Sequence, residues 1–207
     1  MSSSPIPDRR KGIGHGLAIV VSGPSGAGKN SVIDRVMREL PNLSFSVSHT
    51  TRPQRAGETH GVNYFFVSQE EFDRLLDADE FLEHVTYLGD RYGTTRSQLE
   101  RLFAAGQDVL LNVDVEGAKT LRRRGLDPHT VVYVFLVPSS LRRLADRLRA
   151  RGTEAEEEIE ERLRVAAREM KALDVFDYLV INDELETAVE ELRAIILAER
   201  LRVLRRG

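Results

Sequence analysis

The 207-residue chain contains no cysteine, which removes several chemistries at once. Disulfide bonds, thiolate nucleophiles and cysteine-ligated metal centres are all excluded. No apolar run approaches the roughly 20 residues that a membrane-spanning helix needs. The segment 1–16 lacks the apolar centre of a secretory signal. We therefore expect a flexible N-terminal tail over 1–16 and a cytoplasmic protein with no membrane partner.

The chain also lacks a strong excess of charge of either sign. Its formal net charge is −3, although 30% of its residues are charged. Proteins that bind nucleic acid usually carry a basic face, so this balance argues against nucleic acid as a partner. The five histidines show no metal-ligand spacing. A hydrophobic fraction of 41% and this length fit one globular domain over residues 17–207 with inserted lobes.

Long apolar runs are few, and their arrangement indicates the fold class. Four runs lack polar alternation, which predicts strands covered on both faces. They are Leu17–Ser22, Val109–Val115, Val131–Val137 and Tyr178–Ile181. Helical patterns separate them, including a final helix predicted over 184–204. This alternation is typical of an α/β protein with a parallel sheet flanked by helices.

Local signals mark several helix ends. Capping-box patterns begin at Ser68, Thr95 and Thr153, and each predicts a helix start. Gly106 and Gly125 stand where helix ends are expected.

Two regions interrupt the alternation of strands and helices. Residues 50–97 combine glycine and aromatic residues in short extended pieces, which predicts a small inserted α/β lobe. Residues 139–171 are almost continuously charged and helical, which predicts a helical arm. The core is then expected to comprise 17–49, 98–138 and 172–207.

A glycine-rich loop is the most informative segment. It joins the first apolar run to an amphipathic helix, and it consists of Gly23, Pro24, Ser25, Gly26, Ala27, Gly28 and Lys29. Its glycines let the backbone curl so that several N–H groups point at one anion. The helix N-terminus and the Lys29 ammonium add positive charge. The pattern predicts a cradle for the phosphates of a nucleoside triphosphate.

The residue after Lys29 departs from the usual phosphate-loop pattern. That position normally offers a Ser or Thr hydroxyl to Mg²⁺, but here it is Asn30. Ser31 carries a hydroxyl one position later, and the amide oxygen of Asn30 could accept from a metal-bound water. The sequence leaves the choice between them open.

A second cluster of unusual residues lies in the predicted lobe. Arg52 and Arg55 are three residues apart in a loop that Pro53 and Gly57 restrict. Two guanidinium groups can grip one phosphate dianion bidentately, and Tyr64 could donate its phenol to the same group. The alternative is a solvated loop with two surface arginines.

The spacing T-T-R-x2-R-x2-E-x2-G-x2-Y-x-F, which runs from Thr50 to Phe66, closely resembles the guanylate kinase signature. The phosphate loop and the runs 92–94, 112–117 and 149–154 resemble the same family. The resemblance covers residues 17–199 in order, so the chain is identified as a member of the guanylate kinase family. It implies a P-loop kinase fold with a GMP-binding lobe over 50–97 and a helical lid over 139–171.

The resemblance implies roles for acceptor-side residues. Arg52, Arg55, Tyr64 and Tyr92 would hold the phosphate of GMP, with Glu58 in the same signature. Glu83 would accept hydrogen bonds from the guanine N1–H and exocyclic amine, which adenine cannot offer. Ser48 and Thr94 would meet the guanine O6 side. Asp114, near the acceptor, would hold Mg²⁺ or its waters, together with Ser31.

The resemblance also implies the donor side. The segment Gly23–Ser31 and Asn182 would bind ATP, and Lys29, Arg52, Arg147, Arg151 and Arg162 would act in catalysis. The implied reaction is reversible transfer of a phosphoryl group from ATP to GMP with Mg²⁺. A non-catalytic protein-binding module and a kinase of another nucleoside monophosphate are the alternatives. Tolerance of deoxy-GMP stays open, as does the choice between monomer and homodimer.

One further departure lies at Asn112, where relatives commonly have an acidic residue. A strand over 109–115 would present Asn112 and Asp114 on the same face. The lost carboxylate would weaken binding of Mg²⁺ or nucleotide, or Asn112 would make equivalent neutral hydrogen bonds. The remaining arginine run, Arg122–Arg124, is most simply a surface feature.

Overall fold

The computed structural model describes residues 16–87, 89–126, 129–151 and 155–202, with the backbone alone at Tyr87 and Arg151. The predicted tail therefore lies outside the described residues, except for Gly16. The strands are β1 (Leu17–Ser22), β2 (Leu43–Phe45), β3 (His49–Thr50), β4 (Phe65–Phe66), β5 (Phe81–Tyr87), β6 (Asp90–Thr95), β7 (Asp108–Asn112), β8 (Thr130–Val137) and β9 (Tyr178–Ile181). The helices are α1 (Lys29–Glu39), α2 (Gln69–Asp77), α3 (Arg96–Ala104), α4 (Val115–Arg124), α5 (Leu141–Arg151), α6 (Glu156–Glu169) and α7 (Leu185–Arg200), with a 3-10 turn at Leu173–Val175.

Five parallel strands form the main sheet in the order β2-β7-β1-β8-β9. All six residues of the central strand β1 are buried. Ile19 and Val21 join the buried cluster that contains residues of α1 and α7. Ala18 and Val20 join the cluster on the opposite face, with residues of α3 and α4. Alternate side chains of one strand thus fill two cores, which explains its unbroken apolar sequence.

A second, mixed sheet has the order β4-β3-β6-β5. Strands β3 and β4 are parallel, whereas β6 is antiparallel to both β3 and β5. Helix α2 covers this sheet, and the ring of its Phe72 stacks on Phe81 of β5 at a centroid distance of 4.3 Å. Together with the parallel main sheet, this mixed unit confirms the predicted fold class.

Helices α5 and α6 pack against each other through a separate apolar cluster, which contains Leu144, Leu148, Ile159 and Ala166. A side chain built on Gly26 would meet Leu148 at 2.8 Å and Leu144 at 3.0 Å. The helical pair therefore lies directly against the glycine-rich loop. Among the described helices, none combines the length and the apolar character that crossing a bilayer requires.

The predicted strands need three corrections. The run Val109–Val115 does not form one strand, because β7 ends at Asn112 and α4 begins at Val115. Strand β9 is not covered on both faces, because it lies at the sheet edge and leaves Leu179 50% exposed. The main sheet has a fifth strand, β2, which the sequence does not predict because its three residues are too few to show a period.

The helix-end predictions had mixed outcomes. The Ser68 hydroxyl accepts from the Glu71 N–H at 3.1 Å, which confirms that cap. Thr95 precedes α3 but its side chain makes no capping bond, and Thr153 lies outside the described residues. Gly106 and Gly125 follow helix ends with φ of 72° and 69°, as predicted. The final helix ends at Arg200 and is shorter than the predicted span.

Candidate active site

The glycine-rich loop connects β1 to α1 at the carboxyl end of the main sheet. Gly23, Gly26 and Gly28 have φ of 147°, 89° and 89°, which residues other than glycine rarely adopt. A Cβ at Gly23 would stand 2.0 Å from the Leu136 carbonyl oxygen. All three positions require glycine for their backbone conformation, and Gly23 also requires it because the Leu136 carbonyl lies so close. The curled backbone that results has the geometry of an anion-binding nest.

Side chains from distant elements hold the carbonyl groups of this loop. The Asn182 amide and one Arg147 nitrogen both donate to the Ala27 carbonyl, at 2.7 and 3.2 Å. The Lys29 ammonium donates to the Gly23 carbonyl and, at 3.2 Å, to the Pro24 carbonyl. The loop is therefore braced through its carbonyl oxygens.

The helical pair contributes charge to the same place. A guanidinium nitrogen of Arg162 in α6 donates to the Ser25 hydroxyl at 2.7 Å. Arg147 of α5 also donates to the Asp183 carbonyl at 3.1 Å. The structure thus brings two of the three predicted lid arginines to the loop, whereas the side chain of Arg151 lies outside the description.

The two asparagines that depart from the expected pattern contact each other. The Asn112 amide nitrogen donates to the Asn30 amide oxygen at 2.8 Å, across the gap between β7 and α1. Asp114 does not share a strand face with Asn112, which corrects the predicted arrangement. Asp114 instead caps α4, and its carboxylate accepts from the Gly117 N–H at 2.6 Å. Burial raises the pKa of Asp114, while the nearby Lys29 charge opposes that shift.

The oxygen atoms near the loop fit a magnesium ion carried by a nucleotide. Among the described residues, no group of three or more acidic or histidine side chains could hold a metal by itself. Magnesium in phosphoryl-transfer sites takes phosphates, waters and one or two protein oxygens. Ser31 and Asn30 are exposed beside the loop, and the Asp114 carboxylate faces the Lys29 charge.

Within the mixed unit, Arg52 is buried and paired. It is only 9% exposed, and its guanidinium pairs with the Glu58 carboxylate at 2.7 Å. The same Glu58 carboxylate accepts from the Arg55 N–H at 2.8 Å. The hydrogen bond between the Arg52 and Glu58 side chains raises the pKa of Arg52 and lowers that of Glu58. The solvated-loop alternative is therefore wrong for Arg52, whereas the Arg55 side chain is exposed.

Aromatic rings surround the Arg52 guanidinium. It lies 5.5 Å from the centroid of the Tyr64 ring and 5.7 Å from that of Phe66. The rings of Tyr64 and Tyr92 meet edge to face at 5.9 Å. Burial raises the pKa of Tyr64, so its phenol keeps the proton that it would donate to an anion. Ser48 lies beside this group, and its carbonyl accepts from the Phe65 N–H at 2.9 Å.

Glu83 on β5 is the most perturbed carboxyl group of the site. It is 4% exposed, and the Thr94 hydroxyl donates to it at 2.6 Å. Burial raises its pKa to about 7, with a smaller contribution from the Asp114 charge. A buried carboxyl beside a second carboxyl is typical of a functional site, because such groups cost stability.

Some neighbours of the site carry no signal in the sequence. Glu169 of α6 is half-buried, and burial raises its pKa while the charge of Lys29 opposes that shift. Arg124 is exposed, as predicted, but its guanidinium also donates to the Phe81 carbonyl at 2.7 Å. Arg122 likewise stacks over Tyr133 at 4.5 Å. Only the tertiary arrangement reveals these contacts, since each one joins residues from different helices or strands.

Comparisons with known proteins agree on one family. The guanylate kinase family profile matches residues 16–199. The guanylate kinase of Symbiobacterium thermophilum is 46% identical over 202 residues, which cover 98% of this chain and 92% of the relative. That of Escherichia coli K12 is 44% identical over 192 residues, covering 92% and 91%. A crystal structure of guanylate kinase from Anaplasma phagocytophilum superposes with a TM-score of 0.74 and 32% identity, covering 91% of this chain and 88% of that chain.

A parallel sheet whose first strand leads through a glycine-rich loop into a helix, beside a mixed second sheet, defines a P-loop nucleotide kinase. The family match extends over almost the whole described chain, at identities well above those that show a fold alone. The chain belongs to the guanylate kinase family.

Proposed function

We propose that the glycine-rich loop binds ATP and that the mixed second unit binds GMP. The activity is that of a guanylate kinase, an ATP:GMP phosphotransferase. One observation carries the substrate assignment: the buried Glu83 carboxyl, which accepts a hydrogen bond from the Thr94 hydroxyl, lies in the same unit as Arg52. Guanine offers an N–H and an amine to such a carboxyl, whereas adenine would leave it unpaired.

In the proposed reaction, no protein group becomes covalently attached. An oxygen of the GMP phosphate forms a bond to the γ-phosphorus of ATP, and the bond to the β,γ-bridging oxygen breaks to release ADP. Lys29, Arg147 and Arg162 meet at the loop and stabilise the charge on the transferring group. We assign Arg151 to the same task from the family resemblance.

Magnesium enters this proposal as part of the Mg–ATP substrate. When bound, it neutralises charge on the phosphates. Asn30, Ser31 and Asp114 would hold it, in part through water. The Asn30–Asn112 hydrogen bond fixes the orientation of the Asn30 amide in this process.

The acceptor phosphate is proposed to bind where Arg52, Arg55, Tyr64 and Tyr92 converge. Glu58 orients Arg52 through their ion pair and positions the backbone of Arg55. Ser48 and Thr94 are proposed to meet the guanine O6 side. On the donor side, Asn182 is proposed to contact adenine in addition to bracing the loop.

The proposed division of labour follows the predicted segments. Residues 50–97 would act as the GMP-binding lobe and 139–171 as the lid, with the remaining residues from 17 onward as the core. Lid closure would exclude water that otherwise hydrolyses ATP. We propose a cytoplasmic location, which the cysteine-free composition supports.

A coupled ADP-release assay tests this function. It uses ATP and Mg²⁺ with GMP, deoxy-GMP, AMP, CMP, UMP and dTMP in parallel. Release that depends on GMP and is absent with AMP supports the assignment of Glu83. Preference for another monophosphate would overturn the substrate assignment and keep the fold. Absence of release with every acceptor would instead favour a non-catalytic binding module.

A further inference from the structure

Both ends of helix α4 contact strand β5 close to Glu83. Gly117 in the first turn lies beside the Glu83 carboxyl, and Arg124 at the last position holds the backbone just before it. We propose that Gly117 and Arg124 are positioning residues that place the Glu83 carboxyl for guanine and so set selectivity at its exocyclic amine. This proposal rests on the proposed function, in which Glu83 binds guanine.

A β-bulge at the start of β5 turns Glu83 toward α4. Phe81 pairs with Thr95 and Glu83 pairs with Thr94, so Leu82 has no partner of its own in the ladder. Leu82 is 1% exposed and belongs to the buried cluster that contains residues of α4. Glu83, the next residue, also faces α4. A regular strand sends consecutive side chains to opposite faces, whereas a bulge re-aims one of them.

Arg124 holds this bulge from the protein surface, where its side chain is 45% exposed and also approaches the Asp79 carboxylate at 3.8 Å. Its guanidinium nitrogen Nη1 donates to the Phe81 carbonyl at 2.7 Å and approaches the Leu82 carbonyl at 3.4 Å. A bulge disrupts the local ladder of hydrogen bonds, so an external donor is valuable there. A bond from a charged donor is stronger than a neutral one. The strand that carries Glu83 is therefore fixed to α4 through its backbone.

Gly117 provides the space that the Glu83 carboxyl occupies. A Cβ at this position would stand 2.8 Å from Glu83 Oε2 and 3.1 Å from Asp114 Oδ1. Real Cβ atoms do not approach so closely, and the flexible end of Glu83 would have to move. The Gly117 N–H also donates to Asp114, so one residue adjoins both carboxyl groups.

Displacement of Glu83 has a specific consequence for ligand choice. A carboxylate accepts the N1–H and the amine of guanine together only when it stands within about 0.5 Å of the correct place. Inosine monophosphate has the same phosphate, ribose and N1–H but lacks the amine. A misplaced Glu83 loses the second hydrogen bond, so binding of GMP weakens and binding of inosine monophosphate changes little.

The test measures dissociation constants of GMP, inosine monophosphate and ATP by calorimetry for wild type and four variants. Arg124→Ala is expected to weaken GMP binding about tenfold, since the displaced Glu83 loses its hydrogen bond from the guanine amine. Binding of inosine monophosphate should weaken by less than about threefold. ATP affinity stays unchanged. Arg124→Lys restores a donor and most of the GMP preference. Arg123→Ala is the matched control, because Arg123 is the exposed neighbour of Arg124 and its guanidinium donates to the Thr120 hydroxyl of the same helix at 3.1 Å.

Gly117→Ala supplies an independent test: alanine is the better helix former, and circular dichroism would check that the new methyl group, which also approaches Asp114 Oδ1 and Val113 Cβ, leaves the helix intact. It is expected to lower the preference for GMP over inosine monophosphate by about tenfold. Equal weakening of both nucleotides by Arg124→Ala and by Gly117→Ala would overturn the positioning role, as would unchanged affinities. A wild type that shows no preference for GMP would instead contradict the proposed function.

Discussion

The glycine-rich loop and the proposed GMP-binding cluster, which comprises Arg52, Tyr64, Glu83, Thr94 and Asp114, differ in the groups that they offer to a nucleotide. The loop presents backbone, with three glycines in conformations that other residues rarely adopt. The GMP-binding cluster presents side chains, which come from a loop, two strands and a helix cap. Backbone recognises phosphate, which every nucleotide carries, whereas side chains such as Glu83 can distinguish one base from another. In the proposed function, binding of phosphate and selection of the base would therefore reside in separate parts of the molecule.

Lys29→Ala removes the principal point charge of the loop. We expect kcat to fall at least about a hundredfold, because charge on the transferring phosphoryl group loses its stabilisation. Steady-state kinetics with GMP would measure the loss, and circular dichroism would confirm the fold. Lys119→Ala is the control, since Lys119 pairs with Glu116 on an exposed surface of α4. A Lys29→Ala enzyme with near-normal turnover would contradict the assignment of the loop.

Arg52→Ala addresses the acceptor side of the same comparison. We expect kcat/KM for GMP to fall about a hundredfold, because a bidentate charge on the phosphate is lost and Glu58 remains unpaired. KM for ATP should change little if donor and acceptor binding are separate. Glu58→Gln is a useful companion, since it keeps the shape of the side chain and removes the negative charge that pairs with Arg52. Equal effects on ATP and GMP would show that the two halves are not independent.

The Glu83 pKa of about 7 predicts a pH dependence on the acceptor side alone. The ionised carboxylate accepts both guanine donors, so GMP binding should weaken as pH falls from 8 to 6, by about tenfold. The stability of the free protein depends on pH in the opposite direction. Because the folded pKa lies above the ordinary value, the contribution of Glu83 to stability falls as pH rises through 7.

Calorimetric titration of wild type and Glu83→Gln across this pH range checks the prediction. The variant retains the titration of the GMP phosphate and loses that of the carboxyl, so the ratio of the two affinities isolates Glu83. A ratio that does not change with pH would contradict the prediction, since it would show that Glu83 does not titrate between pH 6 and 8.

The smallest effect is expected at the asparagine pair. Asn112→Asp restores a negative charge beside Asn30, so we expect the Mg²⁺ concentration for half-maximal ATP binding to fall about threefold. Fluorescence titration of ATP binding at varied Mg²⁺ measures this without turnover. Asn112→Ala, which removes the hydrogen bond and adds no charge, is the control. Identical curves for the two variants would show that charge at this position is unimportant.

The same comparison explains how much of the molecule the sequence predicts. The loop is local: its glycines, the preceding strand and the following helix are adjacent in the chain, so their pattern predicted the structure. The end of β7 was placed wrongly because Val113 and Val115 continue an apolar run, although Asp114 is a common helix-capping residue. The contact of Arg124 with the Phe81 carbonyl links positions far apart in the chain, and no local pattern encodes it.

Residue roles on the acceptor side were assigned through family resemblance, and they stay predictions until the variants are measured. What the residues alone predicted was narrower: two arginines at a spacing suited to one phosphate. The structure adds that Arg52 is buried and paired while the Arg55 side chain is exposed. Burial at this point depends on Tyr64 and Phe66, whose rings flank the guanidinium.

The carbonyl of Ala27 accepts from Arg147, 120 residues later, and from Asn182, 155 residues later. This has a consequence for synthesis of the protein. A ribosome that has made the first third of the chain has already completed the loop sequence, the first strand and the first helix. The donors that brace the loop are still to be translated, and strand β9 is the last of the sheet to be made. The glycine-rich loop, although encoded near the start, is therefore finished only when nearly the whole chain has emerged.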